Sequence, residues 1–443
     1  MARIVIIGNG VAGITAARNI RKRSEHSITV ISGESDHFYS RPALMYIFMG
    51  HMEYAHTKPY EDWFWKKNRI DVIRDHALLV DTKAKTISLA SGDVCHYDSV
   101  VFATGAKTNF YSWPGQDLEG VQGFTNLNDL ELLEQNVRGV RRAIVVGGGL
   151  IGIEVAEMLR SRDIATTMLV RETSYWNNVL PAEESAMVNA HLAEHHVDVR
   201  YSTQLAEIVA NDSSDTDIVS SDTSHTEIVV GNGQRACAVV TNSGERIECQ
   251  LVVLTAGVRP RIDLAQSSGI ATQRGILVDE YFATSVPDVF AIGDCAERPN
   301  GRVDLLWYTA RAHGETLAAT LCGERTAYRP GVFFNSAKFF DIEYQTYGVV
   351  PSAIEVMHEV TKVVTPTDSN GMQSLTWSRP DKRRFLRIVH SNNRVVSFNA
   401  MGVRLRAEVC TKWINEAASL DYVVKHIALA QFDAEFTERL RVA

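Results

Sequence analysis

The stretch Arg3-Ile4-Val5-Ile6-Ile7-Gly8-Asn9-Gly10-Val11-Ala12-Gly13 decides how this chain folds. A short aliphatic run closed by glycines, with a helical pattern continuing through Ile20, reads as a buried strand that turns straight into a helix. Ser27 to Ile31 reads as the next strand, and Glu34 follows Gly13 by 21 residues. In such a strand, glycine turn, helix and strand, the glycines let backbone approach a pyrophosphate at the helix N-terminus. An acid about 20 residues further on reaches a ribose. Glycines alone often mark plain turns; here the flanking elements and the acid point to a nucleotide site.

A second copy begins at Ala143. The strand Ala143 to Val146 leads into Gly147-Gly148-Gly149-Leu150-Ile151-Gly152, with a helix expected over Ile153 to Leu159 and a strand over Thr166 to Val170. Each pyrophosphate needs its own glycine turn, so two turns imply two dinucleotides; the alternative is a decayed duplicate. Ser99 to Ala106 is a buried strand entering a small-residue turn, echoed by Leu251 to Pro260, and Val289 to Asp294 is a strand ending in Gly-Asp.

The chain has 443 residues, enough for two to four domains. Its composition, 45% hydrophobic and 22% charged, excludes disordered and collagenous classes. A net charge of -8 gives the molecule as a whole no attraction for nucleic acid or an anionic membrane. No apolar run is long enough to span a bilayer, and the N-terminal run lacks a signal-peptide pattern, so a cytoplasmic location is expected. The six cysteines (Cys95, Cys237, Cys249, Cys295, Cys322 and Cys410) form no CxxC pair and no zinc-ligand spacing, so buried thiols and no metal are expected. Asn211 to Glu227 carries five acids and no Lys or Arg, and reads as an exposed, mobile and dispensable loop or hairpin.

These motifs together resemble the pyridine nucleotide-disulfide oxidoreductase superfamily, flavoproteins with FAD at the first glycine turn and NAD(P)H at the second. The resemblance covers residues 1 to about 325 and rests on Gly8-x-Gly10-x-x-Gly13, Glu34, Ala103-Thr104-Gly105, Gly147-x-Gly149-x-x-Gly152, Gly257-x-Arg259-Pro260 and Ala291-Ile292-Gly293-Asp294. It implies an α/β fold of two Rossmann-like dinucleotide-binding domains, glutathione reductase-like, plus a C-terminal α+β domain. The FAD domain would occupy residues 1–112 and 261–330, the NAD(P)H domain 113–260, and an interface domain 331–443. By the same resemblance Gly8, Gly10, Val11, Ala12, Gly13, Glu34, Arg41, Pro42, Ala103, Thr104, Gly105, Gly293 and Asp294 would hold FAD. The nicotinamide dinucleotide would lie on Gly147, Gly149, Leu150, Ile151, Gly152, Arg171 and Gly257.

Disulfide reductases of this superfamily place a thiolate beside the flavin, in the segment that here reads Phe38-Tyr39-Ser40-Arg41-Pro42-Ala43-Leu44-Met45-Tyr46. Pro42 stands where a single-cysteine member has its thiol, and no cysteine precedes Cys95, so disulfide reduction is not expected. Tyr39-Ser40-Arg41-Pro42 instead resembles the branch of rubredoxin, ferredoxin and nitrite reductase flavoproteins, in which the arginine lies near FAD; the alternative is that Arg41-Pro42 merely starts a helix. Glu154 matches the family glutamate beside the nicotinamide, and its usual lysine partner is replaced by Tyr46; the alternative is a solvated helix glutamate. Catalytic positions implied are therefore Glu154, Arg41 and Tyr46. Arg171, followed by Glu172, stands where NADH-preferring members carry an acid, which favours NADPH over NADH.

The expected activity is FAD-dependent oxidation of NAD(P)H with electrons passed to a small acidic carrier of ferredoxin or rubredoxin type. Arg379, Lys382, Arg383, Arg384 and Arg387 are a candidate steering patch for it, or a solvated hairpin. Two rivals remain: an oxidase using oxygen or a quinone, and a redox sensor read by a binding partner. A monomer and a homodimer are both compatible with the sequence.

Overall fold

The computed structural model describes residues 1–211, 234–352, 356–357, 371–379, 383–432 and 440. The expected acidic loop from 212 onward and Lys382 lie outside the described residues. The chain divides into two compact units, the first Met1–Thr108, Thr125–Leu130 and Val258–Asn335, the second Asn109–Phe124, Glu131–Gly257 and Ser336–Ala443.

The first unit is built on a five-stranded parallel sheet. Its spatial order is Val289–Ala291, Ser99–Phe102, Arg3–Ile7, Ser27–Ser32 and Ile70–Arg74. The central strand reads as one aliphatic run because both of its faces are covered: Ile4, Val5, Ile6 and Ile7 are all buried. Helix Val11–Arg23 packs on helix Trp307–Leu321, and Gly314 permits the close approach, since a Cβ there would lie 2.5 Å from the Ala12 carbonyl oxygen. An antiparallel sheet of Ala77–Asp81, Thr86–Leu89 and Val94–His96 lies in the same unit. Ala106–Thr108 pairs with Val258–Pro260.

The second unit repeats the arrangement. Val197–Arg200, Ala165–Leu169, Arg142–Val146, Leu251–Leu254 and Val121–Gly123 form a second five-stranded parallel sheet in that order. The helix expected from Ile153 starts earlier, at Leu150, and runs to Arg160. Its first turn is drawn directly out of the glycine turn, leaving Gly152 inside the helix rather than before it. A six-stranded sheet follows in the order Phe334–Phe339, Ile342–Tyr347, Arg394–Met401, Arg384–Ser391, Met372–Arg379 and Val356–Met357. Met372–Arg379, Arg384–Ser391 and Arg394–Met401 pair antiparallel in sequence order, Ile342–Tyr347 pairs antiparallel with the distant Arg394–Met401, and helices Ala407–Asn415 and Leu420–His426 follow.

Within the second unit, Arg387 joins the C-terminal sheet to helix Ala182–Glu194. Its side chain is wholly buried, with Nη2 and Nε on the two oxygens of buried Glu184 at 2.7 Å each, Nη2 also on Glu183 at 2.8 Å and Nη1 on Ser374 Oγ at 2.8 Å. This corrects the expectation that Arg387 belongs to a surface patch. A fully desolvated guanidinium that has already spent its donors on two carboxylates has nothing to offer a partner.

Candidate dinucleotide sites

The first site forms at the carboxyl ends of the parallel strands, where ligands of open α/β sheets bind. Gly8 takes φ +116°, and a Cβ there would meet the Ala103 carbonyl oxygen at 2.2 Å. A residue with a side chain would therefore push the first turn away from the neighbouring strand. Gly13 sits equally tight, its notional Cβ 2.1 Å from the Gly8 carbonyl oxygen, so the helix is drawn against the turn. Gly10 caps helix Val11–Arg23 without a side-chain hydrogen bond and has open space where a Cβ would be. The first bond of the helix runs from the Ile14 N–H to the Gly10 carbonyl, which leaves the N–H groups before it aimed along the axis toward an anion.

That turn lines a cavity of about 590 Å³. Gly8, Gly10, Val11, Ala12, Glu34, Arg41, Ala103, Thr104, Gly105, Gly293 and Asp294 all line it, together with Asn126 and Arg261. Gly13 lies behind the cavity, and Pro42 and Tyr46 are not among the lining residues. Pro42 caps helix Ala43–Phe48, and Tyr46 on that helix packs near His51 with ring centroids 6.1 Å apart. The helix-start reading of Arg41-Pro42 and the cavity reading of Arg41 thus hold together.

Glu34 is held from several sides. Arg41 Nη2 donates to Oε2 at 2.9 Å and Nη1 to Oε1 at 3.1 Å; the Tyr39 hydroxyl donates to Oε1, and the Leu127 N–H approaches it at 3.4 Å. Arg41 Nη1 also donates to the Thr125 carbonyl at 2.8 Å. Burial works against the charge on Glu34, but the Arg41 cation and these hydrogen bonds prevail and hold its carboxyl below the usual range. Asp294 is different: burial pushes its carboxyl up to about 6, with Arg41 pulling the other way, and no group among the described residues donates a hydrogen bond to it. A half-buried carboxylate facing a cavity without a protein donor suits a ligand hydroxyl.

Three residues without a sequence-derived role shape this site. Tyr39 donates to Glu34, Asn9 donates to the Ser35 carbonyl at 2.9 Å, and buried His313 accepts the Gly293 N–H on Nδ1 at 3.2 Å. Tyr39 was legible as part of Tyr-Ser-Arg-Pro; nothing in the sequence marks His313, whose partner lies 20 residues away. The turn Ala103-Thr104-Gly105 is tied to the returning chain by the Thr104 hydroxyl, which donates to the Arg261 carbonyl at 2.7 Å. Cys295 directly follows Asp294, but its sulfur is buried and in contact with the Phe102 and Ile292 carbonyls, and burial pushes the thiol up. Among the described residues no cysteine lines the cavity.

The second glycine turn has the same geometry. Gly147 takes φ +124° against Thr255, Gly149 caps helix Leu150–Arg160 with open space beside it, and Gly152 is packed onto Gly147. Leu150 and Ile151 form the first turn of that helix. Gly257 takes φ +97° and accepts the Asn109 N–H at 3.1 Å. Arg171 follows the strand Ala165–Leu169, is 71% exposed, and pairs with Glu172 at 2.9 Å.

Glu154 stands one turn into the helix. Burial and the nearby Glu157 push its carboxyl up to about 7, and Lys338 pulls it down. Lys338 itself donates to Glu157 Oε1 at 2.7 Å, so the positive charge acting on Glu154 comes from the C-terminal sheet. At neutral pH the Glu154 carboxyl is about half protonated.

Two parallel sheets, each with a glycine turn feeding a helix N-terminus, define a protein with two dinucleotide sites. The chain belongs to the pyridine nucleotide-disulphide oxidoreductase family, whose pattern matches residues 2–314. Members similar to it are FAD-dependent and use NADH or NADPH. It is 30% identical to rhodocoxin reductase of Rhodococcus erythropolis over 76% of this chain and 76% of that one. It is 27% identical to nitrite reductase [NAD(P)H] of Bacillus subtilis over 78% of this chain, but spans only 41% of that longer relative. The crystal structure of a ferredoxin reductase from Rhodopseudomonas palustris shares the fold, with a TM-score of 0.75 and 23% identity over 90% of this chain and 91% of that one. Among the described residues no helix is long and apolar enough to cross a membrane.

Proposed function

We propose that this chain is an FAD-dependent NAD(P)H oxidoreductase that delivers electrons to a small iron-sulfur or rubredoxin-type carrier. The observation that carries this reading is the first cavity. Its open glycine cap, an ionised Glu34 and an Asp294 without a hydrogen-bond donor among the described residues suit the pyrophosphate and hydroxyls of FAD, while among those residues no thiol faces it. When bound, FAD supplies the two-electron to one-electron conversion: one NAD(P)H reduces two one-electron carriers and releases a proton.

The residues of this chain then bind and orient. Glu34 accepts from ribose hydroxyls with Arg41 keeping it charged, and the helix starting at Val11 directs its N–H groups at the pyrophosphate. Leu150 and Ile151 do the same for the nicotinamide dinucleotide, and Glu154 holds a proton on its carboxyl beside it. Arg171 favours NADPH: an exposed pair with Glu172 is worth little, so the guanidinium is free to turn to a 2′-phosphate. We assign residues 1–112 and 261–330 to FAD, 113–260 to NAD(P)H and 331–443 to a C-terminal domain; the first compact unit falls close to the FAD limits, while the second unit holds the other two together. A cytoplasmic carrier system fits this assignment.

The test is steady-state oxidation of NADPH and NADH by purified yellow protein against a panel of acceptors. Turnover that requires an added ferredoxin or rubredoxin supports the reading. Turnover with oxygen alone replaces it with an oxidase, brisk reduction of a small disulfide refutes the thiol-free site, and one slow bleaching without turnover points to a sensor.

A further inference from the structure

Helix Ala182–Glu194 carries His191, and His195 caps its end one turn later. Asp341, in the turn between strands Phe334–Phe339 and Ile342–Tyr347 of the same unit, meets both. Its Oδ1 lies 2.5 Å from His191 Nε2 and 3.3 Å from His195 Nε2, and one ligand atom from each of the three residues lies within 4.8 Å of the others.

The His191 ring is 2% exposed, so its nitrogens have no water to fall back on. Its Nδ1 is 3.4 Å from Glu194 Oε2, a carboxylate that accepts the ring proton in the Nδ1–H tautomer. An imidazole with its proton on Nδ1 turns a bare lone pair outward at Nε2. In that tautomer the lone pair faces Asp341 Oδ1 at 2.5 Å, and Nε2 has no hydrogen-bond partner among the described residues. A buried ring nitrogen and an exposed carboxylate oxygen in that tautomer turn lone pairs toward each other, with His195 Nε2 beside them, an arrangement that a shared cation satisfies.

We propose that His191 Nε2, His195 Nε2 and Asp341 Oδ1 form a binding site for a divalent transition-metal ion of zinc type, with water completing the coordination. Two imidazoles and one carboxylate are a donor set that suits zinc. The outer groups are in place as well. Glu194 fixes the His191 ring in the manner of a carboxylate behind a zinc-bound histidine. Arg383 donates to Asp341 Oδ2 at 3.0 Å and to Glu194 Oε2 at 2.6 Å, holding both carboxylates from behind while leaving Oδ1 toward the imidazoles. His195 is set by stacking on Phe340, ring centroids 4.3 Å apart. Ligand atoms about 2.0 to 2.1 Å from a tetrahedral ion lie about 3.3 Å from each other, so a small rotation of the exposed Asp341 completes the geometry. The ion would clip helix Ala182–Glu194 to the turn at Asp341 of the C-terminal sheet, and none of the dinucleotide residues takes part.

The experiment uses the full-length, untagged protein, freed of metal with a chelator and dialysed. Zinc is titrated in competition with a chromophoric chelator, and the unfolding temperature is followed with and without zinc. The wild type is expected to take up one equivalent at sub-micromolar affinity and to unfold at a higher temperature with the metal. His195→Ala and Asp341→Asn, at side chains 37% and 62% exposed, leave the core closed and should each weaken binding about tenfold or more and remove the thermal shift. Wild-type binding that needs millimolar zinc, or affinity within tenfold of wild type in both variants, overturns the site.

Discussion

Arg41 grips both oxygens of Glu34, Nη2 on Oε2 at 2.9 Å and Nη1 on Oε1 at 3.1 Å. Tyr39 and the Leu127 N–H also donate to Oε1, so the lone pair left for a ligand is on Oε2. The pairing of Arg41 with Glu34 links two motifs, the glycine-turn acid and Tyr-Ser-Arg-Pro, that the sequence presents as separate.

Removing the cation should weaken flavin retention. Arg41→Ala is expected to raise the dissociation constant for FAD roughly tenfold, at about 1 to 2 kcal/mol for a half-exposed charge-assisted contact. Because the folded carboxyl of Glu34 lies below its unfolded value of about 4.3, its contribution is present above that pH and is lost as pH falls through the lower folded value. Acid titration of flavin release, compared in wild type and Glu34→Gln, checks this: the variant should lose the steepest acid part of the profile.

Glu154 should give the opposite slope. Its folded carboxyl is raised to about 7, so between about 4.3 and 7 the folded state holds more protons than the unfolded chain, and stability falls as pH rises. Glu154→Gln should flatten this dependence and stabilise the protein at pH 8 by up to about 3 to 4 kcal/mol, each pKa unit being worth about 1.4. Denaturant unfolding at pH 5 and pH 8 reads the difference; equal slopes in both proteins would contradict it.

The buried pair Arg387 and Glu184 should be costly to break. Arg387→Leu leaves a wholly buried carboxylate without its cation and should destabilise by about 3 to 5 kcal/mol. Arg404→Ala, which removes an exposed partner of Glu343, should cost at most about 1 kcal/mol. Parallel thermal melts of the two variants make the comparison.

Coenzyme choice should respond to Arg171. Arg171→Glu is expected to move the ratio of kcat/KM for NADPH over NADH toward NADH by about tenfold or more, as loss of a charge-assisted contact to a phosphate implies. A wild type that already prefers NADH would remove Arg171 from this role.

The central strands of both parallel sheets and both glycine turns were legible in the sequence by itself, whereas the outer strands Ile70–Arg74, Val121–Gly123 and Val197–Arg200 were not. The reason is local: a buried parallel strand must be aliphatic on both faces, and a turn against a neighbouring strand admits only glycine, so Arg3 to Gly13 and Ala143 to Gly152 carry their structure within a dozen residues. The acid Glu34 was readable for the same reason, by its fixed distance from Gly13. Tertiary structure alone decided the rest. That Arg387 is buried, that Lys338 supplies the positive charge acting on Glu154, and that His313 holds Gly293 all depend on partners from distant elements. The histidine cluster shows the boundary well: His191 and His195 are four apart on one helix and could be read as a pair, whereas Asp341 lies 146 residues beyond His195 and reaches them only through the pairing of the C-terminal sheet. Spacing along a chain reports neighbours on one element; burial and charge compensation are set by whichever element folds against it.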